Sequence, residues 1–201
     1  AYGMLAATIA ELFGKYTDLL DSKNVNAYDK DAFRRILKGE ANVTEVKKSL
    51  SLLMRMMSDH YEKPVILLLD EYDVPVAKAS NHHYYQEMLE VVKAMMSTAL
   101  KDNSTLQFAI ITGCLKIAKE SIFTGTNNFV SDTITSSRLN EYFGFTQEDV
   151  NRLLQDADAV DHAEDMKDWY DGYRFGDFDV YCPWDVMNYL FDLSNDPKAK
   201  P

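Results

Sequence analysis

The stretch VILLLDEYD, residues 65–73, decides the fold of this chain. Val65 to Leu69 are five consecutive apolar residues, a run too short for a helix and without polar alternation. Pro64 ends the helical pattern that precedes them, and Asp70 ends the apolar run. This profile predicts a β-strand buried on both faces of a parallel sheet, with carboxylates at its carboxyl end.

A second apolar run follows after a helical segment. Residues 84–100 repeat Leu, Val and Met at helical spacing and predict a helix, and residues 106–111 predict a second buried strand. A strand, a helix and a strand of these lengths predict a right-handed crossover unit, so the fold class is α/β. We expect the strands to be neighbours in the middle of a sheet, with Asp70 and Thr112 at the same end.

Asp70 and Glu71 follow a buried strand, and this is where open α/β sheets bind ligands. In P-loop enzymes the first acidic residue at this point helps to hold Mg²⁺, usually through water, and an adjacent glutamate can polarise the attacking water. The two residues match these roles in order, and Thr112 can order the same water or contact a terminal phosphate. The simpler alternative is that both carboxylates cap a strand and solvate a loop.

A third carboxylate, Asp73, has no role that the sequence assigns. A rival interpretation places two metal ions on Asp70, Glu71 and Asp73 for phosphodiester cleavage. The usual nuclease pattern of an acidic residue, one spacer and a lysine on a following strand is missing, since Lys78 lies beyond Pro75. This departure disfavours the two-metal interpretation.

Three helical patterns occupy the chain before Pro64. Apolar residues recur at steps of three and four in residues 5–20. A short helix is predicted over residues 29–37, and a longer one over residues 47–61 with Thr44 as its N-cap. The chain begins without Met or a signal peptide and enters a helical pattern at once, which indicates a cut inside a longer protein.

The composition of the sequence changes after residue 144. Thr146 opens a short helix with the pattern of a capping box, and the segments that follow are aromatic and rich in turns. We therefore place a boundary near Gly144, between a core of residues 1–144 and a small helical lid of residues 145–201. The tryptophan and tyrosines around Arg174 are expected to form the core of this lid rather than a platform for stacking bases.

The composition disfavours several classes of protein. The chain has 21 basic and 32 acidic residues, a formal net charge of −11, so nucleic acid is not expected to bind it directly. Its longest apolar run has five residues, against about 20 for a membrane helix. Cys114 and Cys182 lack the spacing of a zinc site and the density of a disulfide scaffold, which favours reduced thiols and a cytoplasmic location.

Four sequence blocks carry a resemblance to a known family. They are LDEYDVP at residues 69–75, TGCLKIAKESIFTG at 112–125, NEYFGFT at 140–146, and WYDGYRFG at 169–176, followed by Pro183-Trp184. Together they resemble the bacterial AAA-ATPase-like domains that commonly precede a PD-(D/E)XK nuclease domain in one polypeptide. The resemblance covers most of the chain from Pro64 onward, and the part before Pro64 matches only in helical character.

The resemblance implies a P-loop ATPase fold, a parallel sheet flanked by helices with a small C-terminal lid, and Mg²⁺-dependent ATP binding by the complete domain. It implies Asp70 as the metal-binding and Glu71 as the catalytic residue of a Walker B pair, and Thr112 as the sensor. Arg138 falls where related ATPases often place an arginine that reaches phosphate, with a surface ion pair as its alternative. Arg174 is either a lid contact to the nucleotide or a stacked structural arginine.

The chain departs from the family at the phosphate-binding loop. Gly14-Lys15 is followed by Tyr16 and lies inside a helical pattern with no strand before it, so it cannot cradle phosphates. We expect the second part of an ATPase core, which binds neither ATP nor Mg²⁺ tightly by itself and hydrolyses ATP poorly or not at all. The alternative is a protein-interaction module built on a degraded ATPase fold.

The same departure predicts the partners of the chain. A sheet without its first strands exposes backbone edges and apolar surface, which predicts self-association through those edges. In a longer parent the expected neighbour is a nuclease domain, with a link to nucleic-acid processing. No membrane partner is expected.

Overall fold

The computed structural model describes residues 2–80, 83–114 and 129–201. The chain forms two compact units, Ala1–Asn128 and Phe129–Pro201. The second unit therefore begins earlier along the chain than the boundary placed near Gly144. Among the described residues, no helix is both long enough and apolar enough to cross a membrane.

The first unit is helical up to its sheet. The apolar faces of its helices meet in one core, in which Phe13, Phe33 and Met56 are completely buried. The helical patterns predicted before Pro64 are confirmed in kind, although their bounds differ. The helices are α1 (Tyr2–Gly14), α2 (Ala27–Leu37), α3 (Val43–Lys47) and α4 (Ser49–Tyr61), with a 3-10 helix at Thr17–Asp21.

Asn42, rather than Thr44, begins the helical segment that leads to the sheet. Its side-chain oxygen accepts the Glu45 N–H (3.1 Å), and the Glu45 carboxylate accepts the Asn42 N–H (3.0 Å). The predicted N-cap was wrong because this reciprocal capping box satisfies two free backbone N–H groups at once. The helix predicted over residues 47–61 is also broken at Lys48, which separates α3 from α4.

Asp29 joins α2 to α4. Its side chain is 2% exposed and accepts hydrogen bonds from Arg55 Nε (2.8 Å) and Nη2 (2.7 Å), and from Asn26 Nδ2 (2.9 Å). The hydrogen bonds from Arg55 hold the pKa of Asp29 below its ordinary value, although burial acts in the opposite direction. The pair fixes the two helices against each other near their charged faces.

Two parallel strands, β1 (Val65–Leu69) and β2 (Leu106–Ile111), lie side by side in the first unit. Leu69 pairs with Ile111, so both strands end at the same edge of the sheet. The predicted adjacency and parallel direction are confirmed, and with them the α/β class. Within the described ranges the sheet has these two strands, so a complete P-loop sheet stays a prediction.

The described residues between the strands form the helices α5 (Val74–Ser80) and α6 (Tyr85–Leu100). Pro75 is the second residue of α5. Proline fits the first turn of a helix because the backbone N–H that it lacks has no partner inside the helix there. Met88, Val92 and Met95 lie on the buried side of α6.

The sheet has one covered face and one exposed face. Val65, Leu67 and Leu69 pack partly buried against the helical core, together with Leu106 and Ile111. The opposite face is open, and Leu68 is 70% exposed. The prediction of strands buried on both faces was therefore wrong, because the helices among the described residues cover one side of the sheet. The exposed apolar residues of this outer face are Ile66, Leu68, Phe108 and Ile110.

The second unit combines helices with a β-hairpin. Thr146 caps its first helix and accepts the Asp149 N–H, so the predicted capping box is confirmed. The prediction of a small helical lid did not include the antiparallel hairpin. The elements are α7 (Gln147–Asp156), α8 (Ala163–Tyr170), β3 (Asp171–Phe175), β4 (Phe178–Tyr181) and α9 (Pro183–Asn195), with 3-10 turns at Asn140–Tyr142 and Val160–His162.

The core of the second unit is built from residues other than its tryptophans. Tyr181, Tyr189 and Met166 are almost completely buried in one hydrophobic cluster. Trp169 and Trp184 are mostly exposed, 68% and 75%. The expectation that the tryptophan forms the lid core was wrong, because α8 and α9 turn their aliphatic and tyrosine sides inward.

Charge is divided very unevenly between the units. Residues 129–201 contain 16 acidic and 6 basic residues, a formal charge of −10. Residues 1–128 contain 16 acidic and 15 basic residues, a formal charge of −1. The acidity of the chain is therefore a property of its second unit. Cys114 is exposed and Cys182 is partly buried; the reduced state of both stays a prediction.

Candidate functional site

The carboxyl ends of the two strands bring Asp70 and Thr112 together. Thr112 N–H donates to the Leu69 carbonyl (2.9 Å), and Tyr72 N–H donates to the Thr112 carbonyl (3.1 Å). These backbone bonds continue the ladder one step past the strands. As a result the Thr112 hydroxyl donates a hydrogen bond to Asp70 Oδ1. The predicted meeting of these two side chains is confirmed.

Glu71 follows in a constrained backbone conformation. Its φ is 53°, in the left-handed region that side-chain-bearing residues rarely occupy. Its N–H donates to Asp70 Oδ1 (3.0 Å), and its carbonyl accepts the Val74 N–H (3.1 Å). Left-handed residues held by such bonds concentrate at functional sites. The conformation turns the chain sharply after Asp70 and leaves the Glu71 side chain exposed.

Asp70 and Thr112 are also exposed, so a ligand can reach them. Within the described ranges, Glu71 N–H and the Thr112 hydroxyl donate to Asp70 Oδ1, which leaves Oδ2 available there to a bound water or ligand. Among the described residues, no group of three or more His, Cys, Asp or Glu side chains could hold a metal ion. The two-metal interpretation on Asp70, Glu71 and Asp73 is therefore not supported by the geometry.

Asp73 lies beneath the site rather than in it. It is 3% exposed, and its carbonyl accepts the Ala77 N–H (2.8 Å) in the first turn of α5. Gly113 approaches it so closely that a Cβ on Gly113 would lie 2.5 Å from Asp73 Oδ1. The sequence left Asp73 without an assigned role. A glycine directly after the strand-terminal threonine was the signal for this contact.

Arg138 and Arg174 lie in the second unit, and each has a carboxylate partner there. Arg138 forms an ion pair with Asp132, and Arg174 Nη1 lies 3.2 Å from Asp179 Oδ1. Both arginine side chains are mostly exposed. Surface pairs of this kind match the simpler alternative for Arg138, and the phosphate-contacting roles of both arginines stay predictions.

Part of the sequence block that follows β2 lies outside the described residues. Thr112, Gly113 and Cys114 are described, and residues 115–125 of that block are not. The other blocks, residues 69–75, 140–146 and 169–176, are described completely. They occupy the turn into α5, the 3-10 turn before α7, and the end of α8 with β3.

Comparison with known proteins places this geometry in a family. The family described as "Predicted AAA-ATPase" matches residues 4–123, which includes both strands and the Asp70–Thr112 contact. The chain belongs to this family. The match begins near the start of α1, so the helices before Pro64 belong to the family region too. The sequence blocks had indicated a resemblance only in helical character for that part. The blocks after residue 123 lie outside the match.

One curated relative is similar to the chain. It is the "Uncharacterized protein in vnfD 5'region" of Azotobacter chroococcum mcd 1, 27% identical over 124 residues. The aligned part covers 61% of this chain and 24% of the relative, so the chain spans about a quarter of the length of that protein. No solved structure matches the chain.

Proposed function

We propose that Asp70, Glu71 and Thr112 form the metal and water side of an ATP-hydrolysing site. The observation that carries the proposal is the hydrogen bond from Thr112 to Asp70 across the ends of two neighbouring parallel strands. Sheets of this kind bind ligands at this edge. Membership of the predicted AAA-ATPase family supports ATP as the ligand.

Asp70 fits a single carboxylate contact to Mg²⁺, made through Oδ2 or an intervening water. Magnesium sites in ATPases use one or two carboxylates and take their other ligands from phosphates and water. This donor set agrees with a site where no three-residue metal cluster is found among the described residues. When bound, Mg²⁺ would neutralise charge on the terminal phosphates. Thr112 holds the Asp70 carboxylate in orientation through Oδ1.

Glu71 is the proposed general base. It is exposed, it directly follows the metal-side carboxylate, and its left-handed backbone fixes the direction in which its side chain leaves the turn. A carboxylate so placed can accept the proton of an attacking water. The Thr112 hydroxyl, which contacts Asp70 at the ends of the strands, is the proposed sensor of the terminal phosphate.

Phosphate binding requires an element beyond those described. Gly14 is the last residue of α1, and Lys15 begins the turn after it, so neither forms a loop between a strand and a helix. We propose that the chain acts as part of a longer polypeptide that supplies the phosphate-binding loop. Arg138 and Arg174 are candidate phosphate contacts, and each would have to release its carboxylate partner. A nuclease domain in that polypeptide, and a role in nucleic-acid processing, rest on the resemblance of the sequence blocks.

The test is calorimetric titration of Mg-ATP into the longest available form of the polypeptide, with phosphate release as the measure of turnover. Asp70→Asn should abolish Mg²⁺-dependent binding. Glu71→Gln should keep binding and lower turnover by about 10²- to 10⁴-fold, since general-base catalysis is worth about that much. Asp102→Asn is the matched control, an exposed carboxylate near the opposite end of β2 that should change neither quantity.

A second candidate is a protein-interaction module without catalysis. The observation that favours it is the open outer face of the sheet, where Ile66, Leu68, Phe108 and Ile110 are exposed. The same titration separates the candidates. Mg-ATP binding lost in Asp70→Asn supports the enzyme, whereas no binding to the longest form supports the module.

A further inference from the structure

Helix α9 has two apolar faces. Its inner face is buried in the core of the second unit and includes Tyr189 and Leu193. Its outer face carries Trp184, Met187 and Phe191, which are 75%, 49% and 66% exposed. These three residues are spaced three and four apart and so form one continuous stripe. A helix that is apolar on opposite sides normally has a partner on each of them.

Carboxylates border the stripe. Asp185 and Asp192 each follow a stripe residue in sequence, which places both about 100° further around the helix on the same edge. The pKa of Tyr170 in helix α8 is raised, chiefly because the phenol is partly buried. The negative charges of Asp185 and Asp192 raise it further. Both carboxylates therefore lie close to one phenol, along the side of α9 that faces α8. Within the described part of the chain neither forms an ion pair.

We propose that the outer face of α9 is a docking surface for a basic amphipathic protein segment. Apolar side chains of the segment would cover Trp184, Met187 and Phe191, and its Lys or Arg residues would face Asp185 and Asp192. Complementary charge selects such partners and speeds their association. Large exposed aromatic residues are the usual energetic centres of such contacts. The inference is independent of the proposed ATP site.

The charge of the second unit decides between this occupant and others. A second copy of the chain docked symmetrically on this face would bring two units of formal charge −10 together. It would also place Asp185 and Asp192 of one copy close to the same carboxylates of the other copy. A nucleic acid would meet the same repulsion. A cationic apolar segment is the occupant that both the stripe and its border favour.

The test uses the full chain with Trp169→Phe, so that Trp184 is the remaining tryptophan. The probe is a synthetic helical peptide of about 15 residues with Leu at helical spacing, flanked by Lys. A second peptide of the same pattern carries Glu in place of Lys. The Lys peptide should shift the Trp184 emission to shorter wavelength, and binding should weaken as NaCl rises from about 0.05 to about 0.5 M. The Glu peptide should produce no shift.

Two exposed aromatics of the same unit provide matched variants. Phe191→Ala should weaken binding of the Lys peptide by about tenfold or more, whereas Tyr142→Ala, at the 3-10 turn before α7, should leave it unchanged. The double variant Asp185→Asn and Asp192→Asn should remove most of the salt dependence. Circular dichroism of each variant verifies that α9 is still folded.

Three results would overturn the proposal. The first is no shift of Trp184 emission at peptide concentrations up to about 1 mM, which corresponds to negligible affinity. The second is equal binding of the Lys and Glu peptides, since the border carboxylates would then select nothing. The third is concentration-dependent self-association in sedimentation that Phe191→Ala abolishes, because the occupant would then be a second copy.

Discussion

Gly113 is the residue on which the geometry beneath the candidate site depends. A Cβ built at Gly113 would lie 2.5 Å from Asp73 Oδ1 and 2.6 Å from Tyr72 Cε1. Both distances are shorter than any normal contact, so a larger residue would push Asp73 or Tyr72 away. Because these two residues lead from the Asp70-Glu71 turn into α5, a shift there would be transmitted to the site.

Gly113→Ala should lower the free energy of unfolding by about 1–3 kcal/mol, the usual effect of forcing atoms into a packed region. Gly3→Ala is the matched control, since Gly3 lies in α1 and a Cβ added there would have no atom within 4 Å. Alanine is the better helix former there, so the control should be neutral or slightly stabilising. Urea unfolding followed by far-UV circular dichroism measures both. Equal stability of Gly113→Ala and the unsubstituted chain would contradict the packing argument.

The meeting of Asp70 and Thr112 in the candidate site could be predicted from the sequence, while the conformation of Glu71 and the burial of Asp73 could not. Asp70, Glu71 and Thr112 stand directly after two short apolar runs, and a parallel arrangement of those runs is enough to bring Asp70 and Thr112 together. The left-handed φ of Glu71 and the burial of Asp73 depend on how the chain turns into α5. That turn is set by tertiary contacts, which residue spacing does not encode.

At the scale of elements, the pair Asp29–Arg55 fixes α2 on α4. The folded pKa of Asp29 is lowered, chiefly by the hydrogen bonds from Arg55. Its contribution to stability is therefore complete above the unfolded pKa of about 3.9 and is lost as the pH falls through the lower, folded pKa. The contribution of Asp29 to the free energy of unfolding should therefore increase with pH between its folded pKa and its unfolded pKa.

Asp29→Asn should lower the free energy of unfolding at pH 7 by about 1.5–3 kcal/mol, the range for a hydrogen bond to a charged group. It should also flatten the dependence of stability on pH below about 4. Asp31→Asn is the control in the same helix, because its pair with Arg34 is exposed and should contribute at most about 1 kcal/mol. A pH profile of Asp29→Asn that still parallels the unsubstituted chain would show that other carboxylates dominate.

The type of each element could be predicted from the sequence more reliably than which of its faces are buried. The apolar runs of β1 and β2 and the helical spacing in α6 identified these elements, and Thr146 identified the start of α7. The outer face of the sheet was predicted to be buried because an all-apolar strand normally has layers on both sides. Helices cover one side in the described part of the chain, and no local pattern in the strands distinguishes the two cases.

At the scale of the whole molecule, an open apolar sheet face and a strongly acidic unit act in opposite directions. The exposed residues Leu68 and Ile110 favour association of copies through the sheet. The −10 charge of residues 129–201 keeps copies apart. Salt screens this repulsion, with a Debye length of about 10 Å at 0.1 M, and leaves the apolar attraction in place.

Sedimentation over a concentration series should therefore show association that increases with salt. Leu68→Thr should reduce it, because the substitution removes apolar surface and keeps a residue that favours strands. Val130→Thr, at an exposed valine of the second unit, is the control and should have no effect. A monomer at every concentration and salt would mean that the outer face does not attract a second copy.

The backbone of β1 has one satisfied side and one open side. Val65 N–H donates to the Thr105 carbonyl (2.8 Å), and the Leu69 carbonyl accepts the Thr112 N–H (2.9 Å). Because successive residues of a strand direct their backbone groups to opposite sides, Leu67 and Leu69 also direct theirs toward β2. The groups of Ile66 and Leu68 point the other way, where the described residues provide no further strand.

In deuterated water this arrangement divides the amide protons of one short strand into two classes. Those of Leu67 and Leu69 should exchange slowly, since exchange requires the sheet to open. Those of Ile66 and Leu68 should exchange quickly, within the same five residues. Addition of any strand to the free edge would slow the second class and remove the alternation, so the exchange pattern of β1 reports directly whether a polypeptide has completed the sheet.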